Sequence, residues 1–205
     1  MSGVLDVPQR PGGVDPELLH AVEALLFAAG QPLASLQLAE ALEAEPEEVR
    51  LALSVLEQRR KDTGVVLERV AGGWQLRTHP RFGAAIHRLL GTKPRRLSRG
   101  AMEALAIVAF RQPVTRPEIE RLRGVDSGGV IKQLLDRGLL RSAGRSDEPG
   151  RPLLYRTTAV FLEMFSLPDL AALPTLEERA ALVRGVPAER DDALPDGSPA
   201  GEPEE

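Results

Sequence analysis

Few side chains in this protein could carry a proton, a metal ion or a phosphate. Its three histidines are His20, His79 and His87. None lies four residues from another, the spacing that sets two imidazoles on one helical face to hold a metal. Cysteine is absent, so thiolate ligands and disulfides are both excluded, a composition suited to a reducing cytosol. A nucleophilic triad needs a serine beside a histidine, and Ser127 stands 40 residues beyond His87. No Gly-x-Gly and no Gly-Lys occurs, so there is neither a dinucleotide fingerprint nor a phosphate loop. The residues point away from an enzyme: no catalytic group, cofactor, metal or small-molecule substrate is expected.

One stretch does have a layout tied to a known task. "FRQPVTRPEIERLRGVDSGGVIKQLLDRGLL", residues 110–140, has the rhythm of a helix, a turn and a second helix. A helix-turn-helix reads bases with the N-terminal side chains of its second helix. Here that helix opens on Ser127-Gly128-Gly129, which offers a base edge almost nothing. Lys132, Gln133 and Arg137 lie farther along, opposed by Asp136. Gly128-Gly129 could cradle a phosphate at a helix N-terminus; the favoured alternative is close packing against the first helix of its own module. Trp74 could anchor a partner, but after a Gly-Gly turn it is expected to pack its hairpin onto the helices. Arg145 and Arg151 flank "SDEPG" and suit a phosphate backbone, an acidic protein or plain solvent.

Charge is segregated along the chain. Residues 1–79 hold 7 Lys/Arg against 12 Asp/Glu, residues 80–160 hold 16 against 7, and residues 161–205 hold 3 against 11. The basic middle suggests an acidic or polyanionic partner, contact with the chain's own acidic parts, or merely solvated positive faces. Any contact with DNA is expected to be non-specific and strongly salt-dependent, or indirect. No apolar run approaches the ~20 residues that cross a bilayer, and the N-terminus lacks the apolar core of a signal peptide. The expected location is cytoplasmic, without a membrane partner.

The elements that must position these groups repeat. Asp15, Pro16 and Glu17 start a helix whose stripe is Leu18, Val22, Leu25 and Leu26, ending near Gly30. A second helix spans about Ser35 to Leu42, and a third runs from Pro46 to Gly64. "VVLERVAGGWQLRT" then forms a hairpin. The order recurs: Ser98 caps a helix, Thr115 and Glu118 form a capping box for the next, Gly124 ends it, and Gly138 stops a third before "LLRSAGR" and "PLLYRTT". Gln31-Pro32 and Gln112-Pro113 are 81 residues apart. The expected fold is mainly α with small β-hairpin wings: tandem winged-helix (helix-turn-helix) domains plus disordered termini. The boundaries are a disordered extension at 1–14, a first winged helix at 15–79, a linker helix and basic linker at 80–97, a second winged helix at 98–160, a short segment at 161–174, and an acidic disordered tail at 175–205.

"VEALLFAAGQPLASLQLAEAL", "GGWQLRT", "LSRGAMEALAIVAFRQPVTRPEIERLRGVDSGGVIKQLLDRGLL" and "GRSDEPGRPLLYRTTAVFLEMF" together resemble segregation and condensation protein B (ScpB) over about residues 17 to 174. Phe110 stands where that family usually has Tyr, Gly128 where a Ser or other small residue is common, and Arg156 where Gly is frequent. The resemblance implies a non-catalytic subunit of the bacterial SMC–ScpA–ScpB condensin, cytoplasmic and nucleoid-associated. It would act in chromosome condensation and partition during cell division, as a homodimer on the linker of the kleisin ScpA, reaching the SMC ATPase through the kleisin. Domain 1 would then dimerise, the expected interface being Leu18, Leu19, Val22, Leu25 and Leu26, with Phe27 nearby. Domain 2 would hold the kleisin through Phe110, Arg111, Gln112, Pro113, Arg151 and Tyr155. The alternative reading is a winged-helix DNA-binding transcription regulator.

Overall fold

The computed structural model describes residues 13–91 and 96–174. Asp15 caps α1 (Pro16–Ala29), its carboxylate accepting from the Glu17 N–H at 3.1 Å, and Pro16 sits where no helical amide bond is needed. Gly30 ends the helix in the left-handed conformation. Then come α2 (Ser35–Leu42), α3 (Pro46–Arg60) and an antiparallel hairpin of β1 (Val65–Val70) and β2 (Gly73–Thr78). α3 stops at Arg60, short of Gly64.

The inward face of α1 is Leu19, Val22 and Leu26, packed on Leu38, Val49 and Leu53. Leu18 and Leu25 are only half-buried at the margins of this stripe. This corrects the expected dimer contacts: Leu19, Val22 and Leu26 are core groups and present no surface to a second copy. The reason is geometric. α1 packs on α2, α3 and β2 at once, and so needs a broad apolar stripe for its own module. Phe27 points the other way and is 80% exposed.

Trp74 is half-buried against this core, the packing role expected of it. It also holds a third, one-residue strand: the Leu33 N–H donates to its carbonyl at 3.0 Å, and its N–H donates to the Leu33 carbonyl at 2.8 Å. Gly73 permits the approach, because a Cβ there would lie 2.8 Å from Leu33 backbone atoms. A 3-10 turn at Pro80–Phe82 then leads into α4 (Gly83–Leu90), none of whose side chains is buried.

The second module repeats the plan. Ser98 accepts from the Ala101 N–H to cap α5 (Arg99–Arg111); β3 (Val114–Thr115), α6 (Arg116–Arg123), α7 (Gly128–Asp136), β4 (Leu140–Arg145) and β5 (Leu153–Thr157) follow. The sheet order is β3-β5-β4, all antiparallel. Leu105, Val108, Ile119, Leu134 and Leu139 fill its core. β3 and Leu33 each follow a Gln-Pro pair and each pair with the returning wing strand, so the internal repeat extends to a third strand that sequence pattern did not reveal. The whole is mainly helical with small hairpin wings, two winged helices in tandem.

After β5 the chain forms α8 (Ala159–Met164), with Phe161 buried in the second core. The next residues return to the first module. The Ala71 N–H donates to the Leu167 carbonyl at 2.9 Å, the Gly72 N–H to the Pro168 carbonyl at 2.7 Å, and Arg77 Nη1 to Ser166 Oγ at 2.9 Å. Leu162, Leu167 and Leu173 pack on the second core. This strap fastens the first wing to the second module. Residues 1–12 of the expected disordered extension, the expected tail and part of the basic linker lie outside the described residues, while Val14, expected in the extension, packs on the first core.

Candidate functional site

The start of α7 is where a base-reading protein would meet DNA. α6 leads to it through the expected capping box: Thr115 donates its N–H and its Oγ1 to Glu118 Oε2, both at 2.8 Å. The backbone bond from Thr115 holds the Glu118 carboxyl below its ordinary range. One turn on, Arg116 Nε donates to Glu120 Oε1 at 2.6 Å and its Nη2 to Asp126 Oδ2 at 2.5 Å. Those two carboxylates also serve the helix end. Glu120 accepts from the Ser127 N–H at 3.0 Å, and Asp126 from the Gly128 N–H at 3.2 Å. Ser127 is fully buried, its Oγ accepting from Arg123 at 2.8 Å.

This network answers what the bare Ser-Gly-Gly is for. A Cβ at Gly128 would meet the Arg116 guanidinium at 2.8 Å, whereas one at Gly129 would meet nothing. The expected clash with the first helix of the module is therefore corrected: the group that fills the space is Arg116, from α6. An incoming phosphate would find the Ser127 and Gly128 N–H groups already bonded to carboxylates. The Arg116 hydrogen bond keeps Glu120 ionised below its usual range, and Arg116 is correspondingly raised. Lys132 is tied to Asp136 at 2.8 Å, a bond that raises its own pKa.

The matching region of the first module is acidic as well. Glu47 pairs with Arg50, which holds its carboxyl below the ordinary range. Beside it lies a groove of about 570 Å³ lined by Leu18, Leu42 and Leu51 together with Asp15, Glu43 and Glu48. Around both helix starts the cations Arg50, Arg116 and Lys132 are each paired with a carboxylate. Among the described residues no group of three or more His, Asp or Glu is placed to hold a metal, and no helix is long and apolar enough to cross a membrane.

The six side chains expected at a partner surface of the second module separate into two groups. Phe110, Arg111 and Pro113 are exposed together at the end of α5, and Arg151 is exposed at the wing tip. Arg151 adopts φ +44°, and its carbonyl accepts from Arg145 at 3.0 Å. Two expectations need correction. Tyr155 is 8% exposed and belongs to the core. Gln112 is turned inward: its Oε1 accepts from the Thr157 N–H at 2.9 Å and Oγ1 at 3.0 Å, and its Nε2 donates to the Ala109 carbonyl. It fastens α5 to β5. What the sequence reading missed is Arg141 and Arg156, which face each other across the β4–β5 ladder and are both exposed. Strand alternation could have set each of them on an outer face, but the register shift between Ser142 and Arg145 hides their pairing.

Two winged-helix modules in tandem, one with Glu47 and Glu48 at the start of α3 and the other with Glu120 and Asp126 bonded to the start of α7, define a tandem winged-helix protein. Comparison with known proteins gives the class a family. The family described as segregation and condensation complex subunit ScpB matches residues 20–176. Segregation and condensation protein B of Syntrophotalea carbinolica is 52% identical over 170 residues, 82% of this chain and 86% of the relative; that of Moorella thermoacetica is 46% identical over 166 residues, 80% and 85%. The crystal structure of ScpB from Mycobacterium tuberculosis is 35% identical, spans 73% of this chain and 94% of its own, and superposes with a TM-score of 0.35. The chain belongs to the ScpB family of segregation and condensation complex subunits.

Proposed function

We propose that this chain is a non-catalytic docking subunit of the bacterial SMC condensin. It dimerises through its first module and binds the linker of the kleisin ScpA through its second, in chromosome condensation and partition at cell division. The observation that carries the reading is the closure of the α7 N-terminus by Glu120 and Asp126, together with an exposed Phe110, Arg111 and Pro113 at the C-terminal end of α5. A helix-turn-helix closed to phosphate but edged with an aromatic ring, a proline and an arginine suits a polypeptide with an apolar anchor and acidic flanks. The SMC ATPase is reached through the kleisin, and DNA is met indirectly or without sequence preference. With three of the expected dimer contacts in the core, the remaining candidates on the first module are Leu18 and Leu25, joined by Phe27. Domain boundaries follow at 15–79 and 98–160, with the connecting residues 80–97 between them.

The experiment is co-purification of the full chain with ScpA fragments, with the mass of the complex measured. A complex of two copies with one kleisin segment, lost in F110A/R111E, supports the reading. A stable monomer indifferent to the kleisin overturns it. Sequence-selective retention of a DNA duplex at about 150 mM salt, where non-specific phosphate contacts are weakened, would favour a transcription regulator instead.

A further inference from the structure

We infer that Arg141 and Arg156, on the outer face of the second wing, form a carboxylate-binding site that takes an acidic, extended segment of a partner polypeptide. The register of β4 on β5 sets these two residues directly opposite each other, so both guanidiniums leave the sheet on the same side. Like charges in that relation destabilise a strand pair. Six arginines, Arg50, Arg60, Arg77, Arg99, Arg116 and Arg123, each have a carboxylate within ion-pair distance. Arg141 and Arg156 have none among the described residues. A fold that retains two exposed, uncompensated, facing guanidiniums leaves them available to an anion from outside.

The surroundings favour a polypeptide over a nucleic acid. Pro113, exposed, immediately precedes β3, whose Val114 pairs with Tyr155, the neighbour of Arg156 in β5. β4 is the outer strand of the order β3-β5-β4, so its far edge is open to an added strand. An extended segment added along β4 sets one side chain in the cross-strand row of Arg141 and Arg156, and a carboxylate there can accept from a forked guanidinium. A duplex seated by the usual winged-helix route would bring its phosphates toward Asp126 and Glu120. The inference rests on the reading that the second module docks a polypeptide. It does not depend on that polypeptide being the kleisin.

The test uses the full chain and two labelled probes: a short peptide of alternating Glu and Val, and a mixed-sequence DNA duplex, each followed by fluorescence anisotropy. Replacing both residues with glutamine should weaken the peptide at least about tenfold, the loss expected when forked charge-assisted bonds are removed. R141K/R156K should fall between, since lysine keeps the charge without the fork. The melting temperature of R141Q/R156Q should hold or rise, because a like-charge pair has been removed. Unchanged peptide affinity in R141Q/R156Q overturns the inference. So does an equal loss of duplex affinity, which would make nucleic acid the occupant, or a lowered melting temperature in both double variants, which would make the pair structural. Because neither probe is a kleisin, these outcomes are separate from failure of the kleisin complex itself.

Discussion

Arg116 occupies the space that a side chain at position 128 would need, and its flexible end decides how much that glycine matters. Gly128→Ala can be accommodated by a shift of the guanidinium, at the expense of its bond to Asp126. Gly73→Ala has no such outlet, because its Cβ would meet the Leu33 backbone at 2.8 Å. Overpacking of that kind costs about 1–3 kcal/mol, so thermal melting should show Gly73→Ala clearly destabilised and Gly128→Ala much less so. The same cluster should respond to acid. The Arg116 hydrogen bond lowers the folded-state pKa of Glu120 from its ordinary 4.5. Its stabilising effect is thus fully present above that value and lost as the pH falls through the lowered one. Stability measured downward from pH 5 should fall less steeply in Glu120→Gln than in the unaltered chain.

The elements depend on side chains whose partners lie far away in sequence. Gln112→Ala would leave the Thr157 N–H without its acceptor, and an orphaned buried donor costs about 1–3 kcal/mol. Denaturant unfolding should register that loss, to which the lost bond to the Ala109 carbonyl adds. The helices were legible because their ends are marked by residue type: Asp15 and Pro16, Ser98, the Thr115–Glu118 box, Gly124 and Gly138. Gln112 was misjudged because a glutamine after a helix looks the same whether its amide faces solvent or a strand 45 residues on. Tyr155 was misjudged because a tyrosine in a short strand fits either face. β3, Leu33 and the return of Leu167 and Pro168 to the first hairpin had no signature, since their pairing is made by backbone amides and carbonyls that any residue supplies. The Arg141–Arg156 pair was hidden by a register shift between Ser142 and Arg145, which breaks simple counting along the wing.

At the scale of the whole molecule, the first module presents one large unburied ring. Phe27 is outside the core that takes Leu26, one residue earlier on the same helix. Sedimentation should find Phe27→Asp folded but monomeric, and circular dichroism should find Leu26→Asp unfolded; a folded dimer in the first case would move the twin interface elsewhere. The modules are also joined twice, by the connecting residues 80–97 and by the return of Leu167 and Pro168 to the first hairpin. That closes the chain into a ring held shut partly without covalent bonds. A single protease cut between Gly91 and Arg96 should accordingly give two bands under denaturing conditions but one species on gel filtration. The severed halves should part only when the Leu167 and Pro168 clasp is removed as well.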